Sequence, residues 1–214
     1  DFTINAMAMG VNQENFGQLL DPFDGQSDLK NGIIRTPLNP QATFDDDPLR
    51  MMRAVRFASQ LGFTIEDQTL KGIQDKADRM GIISSDRIHV ELNKIIESKV
   101  PSIGLTWMHR GGLMPHVLPE ISALEGVDEV DGHLHKDNFW HSLEVLDNLA
   151  RVSDKLWHRW AALLHDIGKP GTKRFKKGSG WTFHGHEFIG GKMAKTLFQR
   201  LSMPLDSRMK YVVK

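Results

Sequence analysis

The sequence has no cysteine, one tyrosine and no long apolar run. Lack of cysteine excludes disulfides and thiolate metal sites and fits a reducing compartment, so a cytoplasmic location is expected. No apolar segment approaches the roughly 18 residues of a membrane-spanning helix, and no secretory leader is present, so no membrane partner is expected. An excess of one charge is also missing: Lys+Arg and Asp+Glu are both 27, giving a net charge of +0. Any contact with a polyanion must therefore come from local basic patches. The first residue is Asp1 rather than Met, and Val212-Val213-Lys214 carries no helix stop. We expect a piece of a longer chain, with 214 residues enough for one or two domains with a core.

The most informative stretch runs from Phe44 to Phe63. It reads as one helix, with Asp45 or Asp46 able to cap its start, Pro48 in the tolerant first turn and Gly62 as a stop. Leu49, Met52 and Phe57 supply apolar positions. Asp47 and Arg50 are three apart and would share a face, which Arg53 and Arg56 extend as a basic stripe. An ionised Asp only accepts hydrogen bonds and an Arg only donates. Cytosine and adenine each offer an amine beside a ring-nitrogen acceptor, which such a pair can meet. Uracil and guanine would leave groups unpaired. Spacing alone equally describes an i,i+3 ion pair on a solvated helix, with arginine stems lying on apolar neighbours.

The run Asp46-Asp47-Pro48-Leu49-Arg50-Met51-Met52-Arg53-Ala54-Val55-Arg56-Phe57 resembles the Glu-Asp-x-x-Arg motif of class II tRNA nucleotidyltransferases (CCA-adding enzymes) and bacterial poly(A) polymerases. Asp46 stands where that family usually has Glu. The resemblance implies that Asp47 and Arg50 read the incoming base. Asp1-Phe-Thr-Ile-Asn5-Ala6 is similar to the tail of the family's Arg-Arg-Asp-x-x-x-Asn-Ala motif. It implies that Asp1 and Asn5, with Arg53 and Arg56, lie near sugar and phosphates. Asp21-Pro-Phe-Asp-Gly25, followed by Asp28-Leu29 and Ile33-Ile34-Arg35, looks like the next family block. Asp86-Arg87 with Glu91-Leu92 resembles a motif whose helix braces the base-reading helix.

Missing from the chain are the family's Gly-rich loop and its metal-holding Asp-x-Asp pair. The Asp-x-Asp string in Asp45-Asp46-Asp47 heads a helix in another block, where capping is its expected role. No catalytic residue is therefore assigned, and the chain as it stands is expected not to add nucleotides.

Elsewhere, Phe2–Met9 reads as a strand with Gln18–Pro22 as its hairpin partner, and Asp24-Gly25 as a turn. Ser27–Asn31 reads as a short helix and Ile33–Thr36 as a strand. Helical periodicity marks Ile65–Ala77, Ser84–Glu97 and Pro101–Arg110, whereas Glu120–Asp131 is acidic and reads as a linker. Beyond it stand seven of the ten histidines: His133, His135, His141, His158, His165, His184 and His186. Asn138–Ala150 and Leu156–Ile167 read as helices. At the end of the second, His165-Asp166 offers a mixed N/O ligand pair, with His141 available from the preceding helix. A doublet of this kind is equally a hydrogen-bonded core pair.

Trp140-His141, Ala162-Leu-Leu-His165-Asp166-Ile-Gly-Lys169 and His184-Gly-His186-Glu-x-x-Gly-Gly191 together resemble the HD superfamily of metal-dependent phosphohydrolases. The resemblance implies His141, His165 and Asp166 as ligands of a divalent metal (Mn, Ni, Fe, Zn or Mg), with a further Asp ligand past Lys214. We therefore expect a weakened or empty site in this chain. His184, His186 and Lys169 would line the site. The basic loop Lys173-Arg174-Lys176-Lys177 can attract phosphate or RNA, or simply be solvated.

The expected fold is mainly α. Residues 1–36 would be a β/α remnant of a nucleotidyltransferase head, 37–125 a helical neck binding base and RNA, and 126–214 the first part of an all-α HD domain. The intact parent is expected to add CCA to tRNA 3′ ends from CTP and ATP with Mg2+, this chain supplying base selection and RNA binding. A poly(A) polymerase, or an HD phosphohydrolase acting on nucleotides or cyclic phosphates, are the alternatives. Oligomeric state is not readable from the sequence.

Overall fold

The structure, a computed structural model, describes residues 1–130, 133–134, 137–178 and 180–213. His135 and the side chain of His133, both in the histidine-rich part of the sequence, lie outside the described residues, as does the end of the acidic segment at Asp131. Helices dominate, and the strands pair as short two-stranded ribbons.

Phe2 is fully buried, and the chain turns immediately after it. Asn5 Oδ1 accepts from the Phe2 N–H at 2.9 Å, which bends Thr3–Asn5 into a 3-10 turn. The strand expected from Phe2 to Met9 is thereby cut to β1 (Ala8–Met9), paired antiparallel with β2 (Leu19–Leu20). Asp24 adopts a left-handed conformation and opens α1 (Gly25–Asn31), two residues before the expected helix start; the helix stops at left-handed Gly32. β3 (Ile33–Ile34) follows.

The expected single helix across Phe44–Phe63 is two. α2 (Pro40–Asp46) starts on Asn39, whose side chain accepts from the Ala42 N–H, with Pro40 at the first helical position. Its end is set by Pro48, which disfavours helical backbone in the residue before it. Asp47 is accordingly extended, at φ −143° and ψ 102°. α3 (Leu49–Leu61) then runs to left-handed Gly62. β4 (Thr64–Ile65) pairs in parallel with β3 and leads into α4 (Asp67–Lys76). After a 3-10 segment, α5 (Ser85–Ile96) and α6 (Pro101–Arg110) pack on α3. Gly104 makes the α6 approach close, since a Cβ there would lie 2.5 Å from Ile95 and 2.9 Å from Ser59.

The segment expected to be a linker is part of the core at its start. α7 (Met114–Val117) and α8 (Pro119–Ser122) are short, and Leu118, Ile121 and Leu124 are buried. Apolar residues in that stretch outweigh its acidity. The last third holds the ribbon β5 (Glu129–Val130) and β6 (His133–Leu134), then α9 (Asn138–Ala150), α10 (Leu156–Leu164) and α11 (Lys169–Thr172). A second ribbon, β7 (Arg174–Lys176) with β8 (Gly180–Thr182), precedes α12 (His186–Arg200) and α13 (Ser207–Val213). This part is therefore not all-α, and the basic loop is the first strand of a hairpin.

One buried arginine joins the middle and last thirds. Arg159, on α10, donates to the carbonyls of Ile96 and Ser98 at the end of α5 and to those of Ala150 and Ser153 at the end of α9, at 2.8–3.2 Å. Beside it, Trp160 Nε1 donates to Asn93 Oδ1 at 2.9 Å. Ser98 and Ser59 share a 2.8 Å hydrogen bond, which ties the same junction to α3.

Candidate functional site

The structure gathers polar side chains into two clusters. The first is built on α3. Its start is dictated by the Asp47-Pro48 break, which leaves Asp47 outside the helix, with Oδ1 accepting from the Leu49 N–H at 3.1 Å. Asp47 still closes the first turn, its carbonyl accepting from the Arg50 N–H at 3.0 Å, but the two side chains engage other partners. Asp47 Oδ2 accepts from Arg87 of α5 at 2.8 Å. Arg50 instead reaches Asp46 at 2.7 Å, Asp1 at 3.2 Å and the Thr43 carbonyl at 3.1 Å.

Asp1 is shared: its second oxygen accepts from Arg53 Nε at 2.6 Å. The motif tail at the start of the chain and the basic face of α3 are thus brought together, 52 residues apart in sequence for the Arg53 bond. Asn5 is exposed, and its side-chain oxygen holds the turn that presents Asp1. Arg56 is placed otherwise. It is buried, 3.1 Å from Glu91 of α5, and its guanidinium lies 4.1 Å from the Phe57 ring centroid. Burial lowers its pKa and Glu91 opposes that shift. With Arg87–Asp47, this gives α5 two ion pairs to the α3 region, one at each end of the stripe. Arg50, Asp47 and Arg53 keep 27–33% of their side-chain surface in solvent, enough to meet a ligand edge.

The second cluster is built where α9, α10 and α12 converge. His141 comes from α9, and His165-Asp166 follow directly after α10. One ligand atom from each of the three lies within 4.8 Å of the others. Asp166 is buried, and burial pushes its carboxyl pKa upward. Hydrogen bonds from His165 and Lys169 outweigh that and hold it at about 2. His165 Nε2 is 3.0 Å from Asp166 Oδ2, while its Nδ1 is 2.8 Å from the Ala162 carbonyl. The bond to Asp166 favours the imidazolium and raises the His165 pKa against the opposing effect of burial.

His186 enters from the first turn of α12, its Nδ1 fixed by the Phe183 carbonyl at 2.9 Å and its Nε2 3.8 Å from Asp166 Oδ1. That approach depends on Gly168, because a Cβ there would lie 2.1 Å from the His186 carbonyl oxygen. Lys169 Nζ lies 2.7 Å from Asp166 Oδ2 and 3.4 Å from Asn138 Oδ1. His184 is exposed and borders a groove of about 420 Å³ shared with Trp181, Phe183, His186 and Lys169.

The donor set fits a hard or borderline divalent cation: two imidazoles and an ionised carboxylate, with no soft ligand. Backbone carbonyls hold Nδ1 of His165 and of His186, the arrangement by which an outer contact fixes a ligating imidazole with Nε2 inward. A bound ion would polarise a phosphoryl oxygen and activate water there. Sequence reasoning assigned no role to Arg87 in contacting Asp47 or to Gly168. The resemblance of Asp86-Arg87 and Glu91-Leu92 to a motif that braces the base-reading helix was the available signal for the first; nothing local marked the second.

Three family matches divide the chain. Residues 1–35 match the poly(A) polymerase head domain, 62–124 the probable RNA and SrmB-binding site of polymerase A, and 138–211 the HD domain. An A-adding tRNA nucleotidyltransferase from Deinococcus radiodurans is 34% identical over 212 residues, covering 95% of this chain and 47% of the relative. A multifunctional CCA protein from Vibrio parahaemolyticus is 36% identical over 211 residues, covering 95% and 49%. The crystal structure of the Bacillus stearothermophilus CCA-adding enzyme in complex with CTP superposes with a TM-score of 0.63 at 25% identity, over 98% of this chain and 42% of that one.

Matches to the poly(A) polymerase head, to its RNA-binding region and to the HD domain, in this order, define the class of protein by its domain arrangement. The chain belongs to the family of class II tRNA nucleotidyltransferases and bacterial poly(A) polymerases. It spans about half the length of the curated relatives it matches.

Proposed function

We propose that the protein to which this chain belongs adds CCA to tRNA 3′ ends, transferring CMP and AMP from CTP and ATP with Mg2+ in the cytoplasm. In this reading residues 1–36 complete the head, 37–125 select the base and hold RNA, and 126–214 begin the HD domain. The observation that carries it is the meeting of Asp1, Asp46, Asp47, Arg50 and Arg53 on one partly exposed patch at the start of α3. Asp47 accepts the base amine once Arg87 yields, Arg50 donates to the ring nitrogen, and Arg53 with Asp1 and Asn5 serves sugar and phosphate. Arg56, buried on Glu91, acts by holding α3 rather than by touching nucleotide.

Titrating the chain with CTP, ATP and UTP tests the selection step: CTP and ATP should bind more tightly than UTP, and equal affinities would refute base reading. Supplying the intact parent with tRNA lacking CCA, and CTP and ATP separately, distinguishes CCA addition from the addition of A alone. The His141/His165/Asp166 cluster favours a second activity, metal-dependent phosphohydrolysis on nucleotides or cyclic phosphates. Phosphodiesterase activity that survives His165→Ala would remove that cluster from the explanation.

A further inference from the structure

Between Asp166 and Glu187 the sequence contains no acidic residue, yet it holds Lys169, Lys173, Arg174, Lys176 and Lys177, in a chain whose net charge is +0. The structure folds this stretch into the β7–β8 hairpin, with Arg174 opposite Thr182, Phe175 opposite Trp181 and Lys176 opposite Gly180. Alternation sorts the side chains. Phe175 and Trp181 meet edge to face at 5.3 Å on one side, with Lys173 Nζ 4.6 Å from the Trp181 ring centroid. Arg174 and Lys176 project from the other side, and Lys177 adds a charge at the turn; all three are exposed.

An isolated two-stranded ribbon is marginal in water, so the aromatic face pins this one while the cationic face stays in solvent. The hairpin is also inserted within the second cluster. Its first strand starts two residues after the end of Lys169–Thr172, whose Lys169 bonds Asp166, and its second strand ends four residues before His186. The groove bordered by Trp181, Phe183 and His184 runs from the foot of the hairpin to His186 and Lys169.

We propose that the β7–β8 hairpin is a docking arm for single-stranded RNA, its cationic face following the phosphates and the groove at its foot receiving the terminal nucleotide beside the His/Asp cluster. Concentrated positive charge next to aromatic rings is the chemistry that tracks a flexible phosphate backbone and stacks unpaired bases. The proposal rests on the RNA-directed reading above and extends it to residues other than Asp47 and Arg50.

The test is fluorescence anisotropy of the 214-residue chain with a labelled single-stranded RNA oligonucleotide over a range of salt. The triple variant Arg174→Ala/Lys176→Ala/Lys177→Ala is compared with a control of equal charge loss at exposed lysines outside residues 37–125, Lys30→Ala/Lys155→Ala/Lys195→Ala. The hairpin triple should lower affinity at least tenfold and reduce the slope of log affinity against log salt by about 2, at roughly 0.7 per phosphate contact on a single strand. The control should change both much less. Equal losses in the two triples, or none in the hairpin triple, would overturn the proposal. So would competition by polyglutamate of matched charge as effective as that by RNA, which would point to an acidic protein instead. CTP and UTP titrations on the same samples separate the two readings: loss of RNA affinity with the CTP preference intact assigns the effect to the hairpin. Thermal melting of each variant confirms folding.

Discussion

Gly168→Ala is the sharpest perturbation of the His/Asp cluster. Gly168 has ordinary right-handed backbone angles, φ −80° and ψ −12°, so alanine brings no backbone strain and the effect is steric. Its Cβ would lie 2.1 Å from the His186 carbonyl oxygen and 2.7 Å from the Gly190 nitrogen. Ordinary carbon–oxygen contacts lie near 3.3 Å, so the first turn of α12 must withdraw by about 1 Å. Overpacking of this kind costs roughly 1–3 kcal/mol. At roughly 2–4 °C per kcal/mol for a chain of this size, a 2 kcal/mol cost lowers Tm by about 4–8 °C. His186 moves with that turn, well beyond the roughly 0.5 Å within which a functional constellation must be held. Calorimetry should show the fall in Tm, and Mn2+ titration of the intact parent should show a weakened site. Gly171→Ala is the control, since nothing lies within 4 Å of a Cβ there. Unchanged Tm and metal affinity in Gly168→Ala would refute the close-approach argument.

Arg87→Ala should alter nucleotide selection without touching the base, because it releases Asp47 Oδ2 from its 2.8 Å bond. A CTP/UTP affinity ratio changed severalfold in titrations is expected, exposed ion pairs contributing at most about 1 kcal/mol, and an unchanged ratio would remove Arg87 from the site. Arg159→Met leaves four carbonyls without their donor and should cost about 3 kcal/mol or more, read as a lower urea midpoint. Acid sensitivity should depend on Lys169. Asp166 is held at about 2, below its ordinary 3.8, so its contribution to stability is full above pH 3.8 and is lost as pH falls toward 2. Lys169→Met removes one of the two hydrogen bonds responsible, and less of the chain's stability should be lost over that interval.

Much of the frame was readable because its signals are local. Pro101–Arg110 and Asn138–Ala150 form helices with the limits their caps and periodicity indicate, and Gly32 and Gly62 end helices in the left-handed conformation that glycine permits. Two of the errors have a common cause, a single residue overriding a periodic pattern. Pro48 splits a helix whose apolar spacing looked continuous, and Asn5 folds a strand-like run into a turn. The convergence of His141, His165 and Asp166 was legible from motifs. Pairing was not: Asp47 with Arg87, Arg50 with Asp1 and Arg56 with Glu91 are contacts of 35 to 49 residues' separation, set by how α5 and the first residues pack on α3.

The guanidinium of Arg159 grips the ends of two helices that belong to different thirds of the chain. A swivel of the histidine-rich part against the nucleotide-reading part would tear several of those bonds at once, inside the protein and away from water. The histidine-rich part is thereby held to the neck as firmly as a strut bolted at both ends.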